Sequence, residues 1–122
     1  MATAGMFVCW STPVRGREEA GLDVFNEAVA LEAQLQEEGA IESFEVVLLS
    51  PHGDGPNGFI LVRGSEDQIA AVHQREDFRR INARASLVVD DFGVIDAAVG
   101  EGIADQLSNY RNQVSDLAPA RV

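Results

Sequence analysis

FEVVLLS (Phe44 to Ser50) and FILVR (Phe59 to Arg63) are two apolar runs of strand length, joined by PHGDGPNG (Pro51 to Gly58). The joining segment consists almost wholly of turn residues, so the three pieces read as a β-hairpin with a loop of about eight residues. What decides the fold is a pattern these strands lack. An antiparallel strand with one wet face alternates apolar and polar residues. Val46-Val47-Leu48-Leu49 and Phe59-Ile60-Leu61-Val62 are apolar at every position, so both faces of their sheet must be covered.

Working outward, MFVCWST (Met6 to Thr12) is another β-rich run, stopped by Pro13, and Phe7-Val8-Cys9-Trp10 is again apolar on both sides. Between these strands, Gly21 to Glu38 carries Leu22, Phe25 and Val29 on one line and Val24, Ala28, Leu31 and Leu35 on the next, with Gly39 as a stop. That spacing predicts an amphipathic helix. After the hairpin, Ser65 with Gln68 forms a capping-box signature that opens a second helix. Its apolar positions are Ile69 and Val72, then Phe78, Ile81 and Ala85. The register slips across Gln74 to Asp77, which predicts a break with a new helical piece starting at Glu76 or Asp77. Leu87 to Val89 read as the start of a last strand that continues through Val94 to Val99. Ile103, Leu107, Tyr110, Val114 and Leu117 then form a narrow seam on a terminal helix spanning about 101–117. The tail from Pro119 to Val122 is expected to be loose.

The order is strand, helix, strand, strand, helix, strand, with one appended helix. It predicts an α+β chain of ferredoxin-like βαββαβ type: a four-stranded antiparallel sheet with helices on one face. One domain is expected over residues 1–122, with its core in 6–99. Few segments remain to cover the second sheet face, so a face-to-face homodimer is the economical cover. The terminal seam would pack within that dimer, cover its own domain or recruit a separate partner.

The pattern resembles the dimeric α/β-barrel superfamily. That superfamily includes antibiotic-biosynthesis-type monooxygenases that use no cofactor, stress-responsive barrel proteins and YCII-related proteins. The resemblance spans Met6 to Val99 and rests on element order together with MFVCW, GFILVRGS, the bent REDFRRINARAS helix and LVVDDFGV. It implies that two copies pair as a dimeric α/β barrel. Glu76-Asp77-Phe78 is similar to a short acidic-aromatic step of the YCII-related group. The chain lacks the proline after Asp77 and has no histidine in the first helix, so that group's His/Asp pair does not carry over. Fold similarity alone does not transfer function.

The composition narrows the chemistry. The 122 residues hold 20 acids and 9 bases, a net charge of −11, and every base is arginine. A Schiff-base or P-loop lysine is excluded, and a nucleic-acid-binding face is not expected. A single cysteine, Cys9, cannot form an intrachain disulfide. No apolar run approaches a membrane span, and the first fifteen residues lack a basic leader, so a cytoplasmic location is expected.

Gly53-Asp54-Gly55-Pro56-Asn57-Gly58 matches the dinucleotide fingerprint by letter, but a strand follows it where a helix is required, so it reads as a hairpin loop. The only histidines are His52, in that loop, and His73, beside Val72 on the second helix. A histidine side chain can serve in proton transfer; the simpler readings are a solvated loop residue and a half-buried helix residue bonded to a neighbour. His73 and Trp10 are the catalytic candidates. Trp10 would wall a ligand pocket, aided by Phe7 or Phe59, against the simpler reading of core packing. Arg79 and its neighbours Arg75, Arg80 and Arg84 would bind an anion or pair with Glu76, Asp77 and the acidic first helix. Arg79 and His52 complete the substrate-binding candidates. No cofactor and no metal ion is expected, since two histidines and scattered aspartates lack a ligand spacing.

Two functions are consistent with this sequence. One is a homodimeric barrel that binds a small apolar molecule and carries out monooxygenase-like chemistry without a cofactor. The other is a non-catalytic ligand-binding or assembly module. A pocket in which His73 or Trp10 meets another polar group favours the first, and a core filled solid excludes it.

Overall fold

The strand built around the apolar run Phe59 to Val62 is the best sorted in the molecule. Along β3 (Gly58–Gly64), residues alternate strictly between buried and half-buried, with Ile60 and Val62 on the buried side and Phe59 and Leu61 on the other. From Phe59 to Val62 the sequence could not show this alternation, because both sets are apolar.

In a computed structural model describing residues 1–119, β3 joins β1 (Ala4–Trp10), β2 (Ser43–Leu48) and β4 (Gly93–Ala98) in one sheet of order β2-β3-β1-β4. All three pairings are antiparallel. The helices are α1 (Glu18–Glu37), α2 (Glu66–Gln74), α3 (Glu76–Val88) and α4 (Gly102–Asp116). This is the ferredoxin-like α+β arrangement. The tail expectation, beyond Pro119, lies outside the described residues.

The registers place Val46, Ile60, Val8 and Val94 in one row across the sheet, and Phe44, Val62, Met6 and Asp96 in the next. These rows face the helices, where Met6 and Val62 are fully buried with Leu31, Leu35, Val72 and Phe78. The opposite face carries Glu45, Leu61, Phe7 and Ile95 in one row and Val47, Phe59, Cys9 and Gly93 in the next. No helix residue belongs to that second face.

The second helix breaks where the register slip predicts. Arg75 takes an extended conformation (φ −70°, ψ 137°), ends α2 and precedes α3. Its guanidinium donates to both carboxylate oxygens of Asp77 at 2.9–3.0 Å and to Glu38 at the end of α1. The hydrogen bonds from Arg75 hold the Asp77 carboxyl below its ordinary pKa. The break is thus tied to the first helix, and Arg84 adds a second link to α1 through Glu27 at 2.8 Å. At the start of α2, Ser65 and Gln68 form the predicted capping box.

One expected strand segment is corrected. Leu87 and Val88 are helical, and Val89 makes only an isolated bridge to Pro13. Ile81, Ala85 and Val88 recur at helical spacing and are all buried, with Ala85 and Val88 packed on Val24 of α1. Packing on α1 therefore carries α3 past β-favouring residues, in line with the weakness of local propensity against tertiary contact.

The terminal helix does not cover its own domain. It starts against β1, where Gly102 approaches so closely that a Cβ would lie 2.0 Å from the Thr3 carbonyl oxygen. Beyond that point none of its residues is buried, and Ile103, Leu107, Tyr110, Val114 and Leu117 are 48–80% exposed.

Candidate functional site

A cavity of about 340 Å³ lies between the helix-side face of the sheet and helices α1 and α3. Its size is at the lower end of the range for small-molecule sites. Val8 and Trp10 on β1, Ile60 on β3, and Phe78 and Ile81 on α3 line it, while the exposed Leu22, Leu48 and Leu49 mark its mouth. The core is therefore not filled solid.

Trp10 is placed there by its neighbours. Gly58 lies directly across the ladder from it, and a Cβ at Gly58 would come within 2.7 Å of the indole. The bare backbone lets the ring lie flat across β3. On its other side the ring meets Phe25 of α1 edge-on, with centroids 5.8 Å apart.

Ser11, Asn57 and Asn82 also line the cavity, and its ionisable group is Glu32, on the buried side of α1 and 4% exposed. Its Oε2 has no hydrogen-bond partner, the one such buried side-chain atom among the described residues. Burial without a cationic neighbour penalises the charged form and pushes the carboxyl up from 4.5 to about 7. Among the described residues no other titratable side chain lines the cavity. A buried carboxyl with that titration can hold or release a proton near neutrality, and it is a functional-site candidate on physical grounds.

The sequence reasoning missed Glu32, which stood unmarked in the acidic first helix. A signal was present. Ala28, Glu32 and Leu35 stand at helical spacing within the apolar stripe, so the acid interrupts a line that packs inward.

The other candidates are dispersed. Phe7 and Phe59 meet edge-on at 4.8 Å, but on the far face of the sheet from Trp10, so the structure does not bring them into one pocket. His73 lies outside the cavity lining; its Nε2 donates to Asp96 at 2.8 Å, and its ring meets Phe78 edge-on at 5.9 Å. His52 stays in the hairpin loop, with Nδ1 2.7 Å from the Ser50 carbonyl oxygen. Arg79 is exposed on α3. Cys9 is half-buried, and burial pushes its thiol pKa up, the wrong direction for a nucleophile. Among the described residues no group of three or more His, Cys, Asp or Glu is placed to hold a metal ion, and no helix is long and apolar enough to cross a membrane.

Comparison with known proteins places the fold. No family model matches the chain, and no curated protein matches it. Three similar solved structures are described as dimeric ferredoxin-like proteins of unknown function. The one from Bacteroides fragilis is 14% identical with a TM-score of 0.62, over 81% of this chain and 98% of that one. The one from Thermobifida fusca is 14% identical with a TM-score of 0.60, over 80% and 92%. A third, from Jannaschia, is 10% identical with a TM-score of 0.58, over 80% and 98%. At such identities the likeness concerns the fold, and the chain has the ferredoxin-like fold of these proteins.

Proposed function

We propose that the protein works as a homodimer in which each copy holds a small, largely apolar molecule in the cavity between its sheet and helices. The observation that carries this reading is the cavity itself, with aliphatic and aromatic walls around one buried carboxyl that has an unpartnered oxygen. A closely packed interior leaves few voids larger than a water molecule, so a space of about 340 Å³ calls for an occupant. A buried polar atom without a partner is destabilising on the scale of ~1–3 kcal/mol, and a ligand that satisfies it removes that penalty.

The dimer rests on separate support. The open sheet face presents Phe7, Phe59, Leu61 and Ile95, and α4 presents an exposed apolar stripe. Isolated helices of up to ~15 residues are marginal in water, so α4 needs a surface to lie on. The three similar structures are themselves described as dimeric.

Glu32 also favours a second reading, in which the bound molecule reacts. A carboxyl that exchanges its proton near neutrality suits general acid–base work. It would take the part expected of His73, which faces Asp96 outside the cavity.

Trp10 provides the test, since it is the only tryptophan in the chain and it lines the cavity. Titration with adamantanemethanol, which does not absorb where tryptophan does, is expected to shift Trp10 emission saturably. An unchanged spectrum up to the solubility limit of the probe would end the binding reading. Oxygen uptake or product formation with a bound aromatic probe would support the reactive version, and binding without turnover would oppose it.

A further inference from the structure

The chemistry of the cavity narrows its ligand further. We infer that it takes a lipophilic amine, an apolar body carrying one ammonium group that pairs with Glu32 in the cavity. This rests on the binding reading above and adds the charge of the ligand to it.

Three observations carry it. The first is the isolation of Glu32. The residues lining the cavity from β1, β3, α1 and α3 include no arginine, no histidine and no acid other than Glu32. The second is the partner-free oxygen. Each of the ion pairs that α1 makes, Glu27 with Arg84 and Glu38 with Arg75, lies outside the cavity lining, and Glu32 takes part in none. The third is the rest of the lining, which includes the rings of Trp10, Phe25, Phe78 and Phe92, surfaces on which a cation is stabilised by the ring quadrupole.

The energetics separate the possible ligand charges. Burying an ion pair roughly breaks even in general, because both ions must lose their water. Here folding has already stripped the carboxyl, as its raised pKa of about 7 reports. A ligand ammonium therefore meets a carboxylate that needs no further dehydration, and gains a charge-assisted hydrogen bond from it. A neutral alcohol satisfies the oxygen without that gain. A carboxylate ligand would bring a like charge against Glu32 with no cation nearby to offset it. The surrounding field acts in the same direction. Residues 18 to 62, which include the α1 wall, hold ten acids and no arginine or lysine, within a chain of net charge −11. Such a field concentrates cations at the mouth.

The test compares three probes with one hydrocarbon body: adamantanemethylamine, adamantanemethanol and adamantanecarboxylate. Each is titrated at pH 8 against the full chain by calorimetry and Trp10 emission. The amine is expected to bind at least ~10-fold more tightly than the alcohol, and the carboxylate most weakly. In Glu32→Gln the preference for the amine over the alcohol should vanish, and an unchanged circular dichroism and Trp10 emission of the ligand-free variant show that it keeps a folded cavity. Near pH 6.5, amine binding should release a proton from Glu32, seen as a heat that depends on the ionisation enthalpy of the buffer. Equal affinity for amine and alcohol, or an amine preference that survives Glu32→Gln, would overturn the charge assignment and leave the binding reading standing. Failure of all three probes to bind would overturn both.

Discussion

The two faces of one sheet are both apolar, and they are completed in different ways. On the helix side, Met6, Val8, Ile60 and Val62 are buried by α1, α2 and α3, except at the Trp10 end, where a concave space remains. On the other side, Phe7, Phe59, Leu61 and Ile95 lie on a broad surface that no helix of the chain covers. The shape of the vacancy decides what fits it. A concavity of about 340 Å³ with one buried carboxyl suits a small molecule, whereas an extended apolar sheet face suits another protein surface. Alternation along a strand thus sends neighbouring residues to different surroundings. Ile60 lines the ligand cavity, and Leu61 faces the proposed partner.

The largest effect should come from the helix side. Met6 is fully buried, and Met6→Ala is expected to lower stability by ~2–5 kcal/mol at any protein concentration, measured by urea unfolding. A loss that disappears at high concentration would mean that this face also depends on assembly. Glu32→Gln should come next and act through pH. The folded-state pKa of Glu32 is raised from 4.5 to about 7, so the native state binds its proton more tightly than the unfolded chain does. Its effect is absent below pH 4.5, destabilises progressively as pH rises to 7, and is constant above that. The difference between pH 4.5 and pH 7 amounts to about 3 kcal/mol. Thermal unfolding across that range should therefore show a fall in the native protein that the glutamine variant lacks. Parallel curves for the two proteins would remove Glu32 from the cavity argument. On the open side, Leu61→Asp should leave the stability of one copy within ~1 kcal/mol but abolish assembly. Sedimentation is expected to give twice the 13.1 kDa chain mass for the native protein and the single mass for the variant. A native protein that sediments only at the single mass at micromolar concentration rules out the homodimer.

Much of the fold was legible in order and period. The hairpin, the amphipathic first helix, the capping box at Ser65 and the break near Arg75 each have a local cause, a turn composition, an apolar spacing or a side chain that bonds its own backbone. Leu87 to Val89 were misread because their local preference is for strand, while contact of Ala85 and Val88 with Val24, 61 or more residues away, keeps them helical. The candidate site was less legible. Trp10 could be named, and the two-residue period of a strand sets Phe7 on the opposite face from it; for Phe59 only the register between strands decides. Glu32 was concealed among ten acids that look alike in sequence.

The sequence by itself determined the order of the elements, the apolar character of both sheet faces and the acidity of the chain, because these depend on residue type and spacing. Tertiary structure decided which apolar residue faces which way and which acid loses its water. Those outcomes depend on register and on contacts between distant segments: Gly58 opposite Trp10 opens a place for the indole, and packing of α1 on the sheet carries Glu32 into the interior. The acidity that reads as a surface property is therefore divided in two. Most of it stays in solvent, and one carboxyl is buried in the lining of the cavity.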